Sequence, residues 1–219
     1  MLKALLFDVD GTLADTDPTH VLAFGRYLEP FGLSVDEAFY RTRISGRTNA
    51  AIFADLFPDR SSQEHARLGD EKEALYRALA SELAPLQGLP ALLDWARTNG
   101  CRLAAVTNGP KLNLAHALDG LRIADRFDVL VAREDVARGK PDPRPYVTAL
   151  ERLGLAAGDA VAFEDSPAGV SAAKAAGLFT FGLLTSQPAA VLQDAGADAT
   201  IADFEDAGLW TVLRERAGR

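Results

Sequence analysis

The chain holds a single cysteine, Cys101, among its 219 residues. That excludes a disulfide framework and any cysteine-based metal centre. Placed at the head of the apolar run Cys101–Val106, the thiol reads as a small core residue. Long hydrophobic runs are also missing. None approaches the ~18 apolar residues of a bilayer span, and the opening MLKALLFDVDG is too short and too soon acidic to read as a secretory leader. Positive charge is scarce: 23 Lys and Arg stand against 31 Asp and Glu, a formal net charge of −8. Nucleic acid, which demands clustered basic side chains, is therefore not expected as a partner, nor is an anionic membrane surface. Internal repeats and low-complexity tracts are absent. The composition leaves a soluble, cytoplasmic protein with 48% hydrophobic residues, enough for a sizeable core.

What is present is an alternation. Short apolar runs bounded by Gly, Asp, Asn or Pro read as buried strands at Ala4–Phe7, Arg102–Val106, Phe127–Leu130, Ala160–Phe163 and Leu178–Leu183, with a weaker one at Ala199–Ile201. Helical patterns lie between them. Pro90–Asn99, Pro143–Leu153 and Pro167–Ala176 each start on proline and stop at a glycine, the expected asymmetry of helix ends. Strand alternating with helix predicts a parallel α/β sheet covered on both faces. One stretch breaks the rule. Residues 15–87 offer no strand, only helical patterns near Pro18–Leu28, Val35–Thr42, Thr48–Leu56 and Ser62–Leu83. This predicts a helical domain over 15–87 inserted into a core of 1–14 and 88–219, with Ala14–Asp17 and Leu86–Gly88 as hinges.

Open parallel sheets bind ligands outside the carboxyl ends of their strands. At those ends stand Asp8 and Asp10, then Thr107-Asn108, then Gly139-Lys140-Pro141-Asp142, then Glu164-Asp165-Ser166. Each alone has a plain structural reading as a turn former or helix cap. Their joint arrival at one rim does not follow from packing. Crowded carboxylates repel and require a cation, and oxygen-only donors favour Mg²⁺. A carboxylate attacking phosphorus gives an acyl phosphate. A second carboxylate two residues on can then protonate the leaving alkoxide and afterwards deprotonate water.

Asp8-Val9-Asp10-Gly11-Thr12-Leu13, Val106-Thr107-Asn108, Gly139-Lys140-Pro141-Asp142-Pro143 and Phe163-Glu164-Asp165-Ser166-Pro167, in that order, resemble the four motifs of the haloacid dehalogenase superfamily. The match is closest to its phosphoglycolate phosphatase and β-phosphoglucomutase branch. The resemblance implies a Rossmann-like core with a helical cap, and an enzyme that hydrolyses a small phosphorylated metabolite with Mg²⁺. It also implies roles. Asp8 is the nucleophile and a metal ligand, and Asp10 the acid/base and a ligand through its carbonyl. Thr107 hydrogen-bonds the phosphoryl oxygens with the backbone around Asn108 assisting, Lys140 pairs with Asp8 and the phosphate, and Asp165 is a metal ligand with Glu164 as a second, directly or through water. A closing cap suits a monomer.

The same resemblance leaves a sugar-phosphate mutase as the alternative. Arg47, in Gly46-Arg47-Thr48, resembles a substrate-contacting cap residue, and its fork of donors suits an anion. His20 and Lys72 fall near where mutases carry a histidine and a cap lysine; on helical pattern alone both are exposed or half-exposed. Against the mutase, the stretch after the second motif is Asn108-Gly109-Pro110-Lys111 in place of a Ser-Lys-Asn type segment, with Lys111 as the only partial substitute. Phosphatase is the expected activity.

Overall fold

A computed structural model describes residues 1–218. Six strands form one parallel sheet: β1 (Ala4–Phe7), β2 (Arg102–Val106), β3 (Val129–Val131), β4 (Ala160–Glu164), β5 (Phe179–Leu183) and β6 (Ala199–Ile201), in the order β3-β2-β1-β4-β5-β6. The register decides what the strand ends present. Phe7 pairs with Ala105 on one side and Phe163 on the other. Asp8 therefore stands level with Val106 and Glu164, one residue short of Thr107 and Asp165.

Both faces of the sheet are covered, which is why β1 reads as a continuous apolar run. Leu5 and Phe7 join Leu103, Phe163 and Phe181 in a cluster with α5 (Leu89–Thr98), α6 (Lys111–Gly120) and α10 (Ala207–Ala217). Ala4 and Leu6 face the opposite cluster, built on α7 (Arg144–Leu153) and α8 (Pro167–Ala175). Phe163 stacks between Phe7 and Phe181, with centroids at 4.8 and 5.4 Å. Trp95 and Trp210 meet edge to face, and Cys101 is buried, so all three are packing residues.

Between β1 and α5 come four helices and no strand: α1 (Asp17–Leu28), α2 (Glu37–Arg43), α3 (Asn49–Leu56) and α4 (Ser62–Leu79). They surround their own cluster of Phe24, Leu28, Tyr40, Ile44, Ile52, Phe53 and Leu68. The two crossings lie side by side, Leu86 N–H donating to the Leu13 carbonyl at 2.9 Å.

Some boundaries differ from the sequence reading. The third strand starts at Val129 rather than Phe127, because the Asp128 carboxylate takes the Leu103 N–H that a longer strand would pair. The fourth helix stops at Leu79 rather than Leu83, where the Ala80 carbonyl is engaged by His116 Nε2 at 2.7 Å. Two core helices, α6 and α9 (Ala189–Asp194), went unread. In α6 the apolar stripe is interrupted by Asn113, a polar residue that is nonetheless buried.

Candidate active site

The turn after β1 sets the first two carboxylates. Gly11 adopts φ +71°, and its N–H donates to the Ala14 carbonyl at 2.8 Å. A side chain at Gly11 would bring its Cβ within 2.2 Å of Asp165 Oδ2, so only glycine lets this backbone lie against the fourth motif. Asp8 continues the strand, its N–H donating to the Phe163 carbonyl.

Lys140 Nζ is the hub. It lies 2.5 Å from Asp8 Oδ1, 2.6 Å from Glu164 Oε1 and 2.7 Å from the Val106 carbonyl. Tyr146 donates its hydroxyl to the same Glu164 oxygen, and Ser186 donates to Asp165 Oδ2. Burial lowers the Lys140 pKa, but the carboxylates of Asp8 and Glu164 outweigh it and push the ammonium up to about 12. One fixed positive charge therefore faces three carboxylates, those of Asp8, Glu164 and Asp165, which offer oxygens within 4.8 Å of one another. Burial, together with Glu164 and Asp10, raises Asp8 from 3.8 to about 8 despite Lys140. Burial and the neighbouring charge of Asp8 likewise hold Asp165 well above the carboxylate range. Such a cluster is short of positive charge, and its all-oxygen donors fit a hard divalent cation such as Mg²⁺. Among the described residues this is the one group of its kind.

Asp10 points elsewhere. Its Oδ1 accepts from Thr16 at 2.8 Å and lies 3.4 Å from His20 Nε2. Burial opposes its ionisation, but the hydrogen bond and charge of His20, with Thr16, win and lower its pKa. Thr107 Oγ1 accepts the Gly109 N–H at 2.9 Å, which leaves its own O–H free to donate. Asn108 is committed structurally. Its amide donates to the carbonyls of Gly46 and Lys140, and its oxygen accepts the Lys140 N–H. It thereby ties the segment after α2 to the loop carrying Lys140.

One cavity is lined by Asp8, Asp10, Thr107, Asn108, Lys140 and Asp165 from the sheet side and by His20 on α1, Lys72 on α4 and Arg47 from the loop between α2 and α3. Glu164 is fully buried behind it. Two expectations change. His20 and Lys72 are buried, not exposed or half-exposed helix residues: His20 stacks on Tyr76 at 3.8 Å, and Lys72 Nζ sits over the Phe24 ring at 4.2 Å. Lys111 does not reach the cavity; its ammonium pairs with Asp135 at 3.0 Å, drawn outward by that carboxylate. Arg47 lines the cavity, but its guanidinium is bound to Asp55 at 2.7 Å and to the Arg43 carbonyl at 2.9 Å.

The sequence reading missed Ser186, Tyr146, Glu73, Asn49 and Asn113. Ser186 and Tyr146 carry no local signal, since only tertiary folding brings them to Asp165 and Glu164. Glu73 adjoins Lys72 in sequence, and an acid-base neighbour pair in an otherwise amphipathic helix is the trace it left.

Comparison with known proteins gives a consistent picture. A sequence model of the haloacid dehalogenase-like hydrolases matches residues 5–183. A validoxylamine A 7'-phosphate phosphatase of Streptomyces hygroscopicus subsp. limoneus is 35% identical over 208 residues, covering 94% of this chain and 96% of that protein. The β-phosphoglucomutase of Bacillus subtilis is 31% identical over 216 residues, covering 94% and 91% respectively. A crystal structure of CbbY from Rhodobacter sphaeroides in complex with phosphate superposes with a TM-score of 0.81 at 30% identity, covering 95% of this chain and 97% of that one.

Proposed function

The chain belongs to the haloacid dehalogenase-like hydrolases and is a phosphoric monoester hydrolase; from that premise we propose a Mg²⁺-dependent phosphatase for a small phosphorylated metabolite, working through an aspartyl-phosphate on Asp8. The observation that carries this reading is Asp8 itself, at the open end of the central strand with Oδ1 on Lys140 Nζ at 2.5 Å.

Asp8, Asp165 and Glu164, with the carbonyl of Asp10, would hold the metal. When bound, Mg²⁺ supplies charge neutralisation where two anions must meet. The remaining steps belong to the chain. Asp8 Oδ attacks phosphorus as the ester P–O bond breaks, while Lys140 and the Thr107 hydroxyl offset charge on the phosphoryl oxygens. Asp10 gives its proton to the departing alkoxide. A phosphoryl dianion entering beside Asp10 raises that carboxyl's proton affinity, which works against the lowering by His20 and Thr16. Asp10, now ionised, takes a proton from water as the water oxygen attacks phosphorus, the Asp8–phosphoryl bond breaks, and phosphate leaves. His20 and Thr16 stabilise that ionised form.

Residues 15–87 serve as a cap over a core of 1–14 and 88–219, hinged where Leu86 meets Leu13, and the chain acts as a cytoplasmic monomer. A cap that closes needs free hinge motion, which supports the monomer; no helix among the described residues is long and apolar enough to cross a membrane. A β-phosphoglucomutase-type transfer is the second reading, favoured by the Bacillus relative and by His20 beside Asp10. It shares the first half-reaction and differs only in passing the phosphoryl group to a sugar hydroxyl. Phosphate release from a panel of phosphorylated metabolites, with Mg²⁺ and with EDTA, tests the choice. Metal-dependent release is expected; isomerisation of glucose 1-phosphate with little free phosphate contradicts it.

A further inference from the structure

The cavity wall opposite Asp8 carries a buried carboxylate that the reaction does not use. Glu73, on α4, is 5% exposed yet lines the cavity. Its Oε1 accepts from Lys72 Nζ at 2.5 Å and from Asn49 Nδ2 at 2.7 Å, and its Oε2 accepts from Asn113 Nδ2 at 2.6 Å. Asn113 is fixed in turn, its oxygen accepting from Arg77 at 2.6 Å. Three helices, two from the insert and α6 from the core, thus hold one anion in place. Burial opposes its ionisation, but the charges of Lys72 and His20 and the hydrogen bonds from Lys72 and Asn49 outweigh it and lower the Glu73 pKa below the ordinary value.

This arrangement consumes the cavity's positive charge. Three Lys and Arg side chains line it, each with a carboxylate oxygen within 2.7 Å: Lys140 on Asp8, Lys72 on Glu73, Arg47 on Asp55; the one histidine in the lining, His20, sits against Asp10 at 3.4 Å. None is left for a second anionic group on a substrate. What the far wall does offer is hydrogen bonding. The Glu73 oxygens have acceptor capacity beyond the bonds they make, and the Asn49 and Asn113 amides have further N–H groups.

We propose that Glu73 selects monophosphate esters of uncharged, hydroxyl-bearing alcohols, and that it turns away substrates carrying a second phosphate or a carboxylate. Resting on the phosphatase reading above, the inference names the substrate class of that same site. It also disfavours mutase chemistry, because passing a phosphoryl group to a phosphorylated sugar requires the cavity to hold a bisphosphate.

Two matched pairs test it with excess Mg²⁺: glucose 6-phosphate against 6-phosphogluconate, and fructose 1-phosphate against fructose 1,6-bisphosphate. The native enzyme is expected to favour the uncharged-alcohol member of each pair by about tenfold or more in kcat/KM, from like-charge repulsion in a desolvated wall. In Glu73→Gln the charge is gone and Lys72 is released, so both ratios should fall toward one. The native ratios need no variant, so poor folding of Glu73→Gln would not remove the test. Equal turnover within the pairs overturns the inference, as does a folded Glu73→Gln with unchanged ratios. p-Nitrophenyl phosphate separates the two levels. Turnover of that ester without discrimination in the pairs defeats the inference alone; silence on every ester defeats the phosphatase reading and the inference with it.

Discussion

Asp8 is costly to bury and productive for the same reason. Its carboxyl is nine-tenths buried beside Glu164, and only Lys140 opposes the repulsion. In the metal-free protein its pKa stands near 8 when folded against 3.8 as the ordinary value. Between those values the folded state binds more protons than the unfolded one, so stability falls as pH rises from about 4 to 8. Asp8→Asn removes this burden with little change of volume. In EDTA at pH 8 the variant is expected to melt higher than the native protein, by on the order of 2–4 °C for each kcal/mol relieved, while its turnover is abolished. At a pH near 4 the difference should vanish. Thermal melts across pH check the sign, and a lower melting temperature for the variant at pH 8 would show that Asp8 is held by favourable pairing instead. Mg²⁺ should raise the native protein's melting temperature and raise the variant's less, by mass action on a site that has lost a ligand.

At the scale of elements, the sequence was most legible where local chemistry and period agree. β1 is four buried residues, Ala4–Phe7, with Asp8 next in the chain, and the cap of α8 is Ser166, whose Oγ accepts the Gly169 N–H at 3.1 Å. Proline starts and glycine stops marked α5, α7 and α8 because those residues act on their own backbone. Legibility failed where a residue serves a distant partner. Asn113 breaks the stripe of α6 in order to hold Glu73, and Asp128 shortens β3 by capturing Leu103. The burial of His20 and Lys72 depends on α1 and α4 meeting, with Tyr76 and Phe24 as their floors, which no window along the chain contains.

Asn108 is the side chain that links two such elements. It bridges Gly46, after α2, and Lys140, and all three bonds are made by one part-buried amide. Asn108→Ala is expected to cost about 1–3 kcal/mol of stability. It should also lower kcat/KM for a sugar phosphate more than for p-nitrophenyl phosphate, because the aryl ester makes few contacts with the helices. Equal losses on both esters would place Asn108 on the phosphoryl group alone.

Across the whole molecule, the charge balance and the topology point the same way. A chain of net charge −8 gathers carboxylates around one buried cation, Lys140, at the carboxyl edge of its sheet, where the strand order reverses between β1 and β4. That edge was readable because four motifs fall at four strand ends, whatever the helices between them do. The far wall was not, because Glu73, Asn49 and Asn113 come from three helices that only the folded insert brings together. The chemistry at the edge thus follows from the motifs, while the choice of alcohol follows from packing.

Hydrolysis through an aspartyl-phosphate requires a covalent phosphoryl group at Asp8. The direct measurement is acid quenching during turnover of a hydrolysed ester, borohydride reduction, and mass mapping of the peptide that begins at Ala4. Reduction of an acyl phosphate converts the aspartate to homoserine, so homoserine at position 8, dependent on Mg²⁺ and on substrate, is the predicted result. Turnover with unmodified Asp8, or with the label on another residue, would contradict the aspartyl-phosphate mechanism.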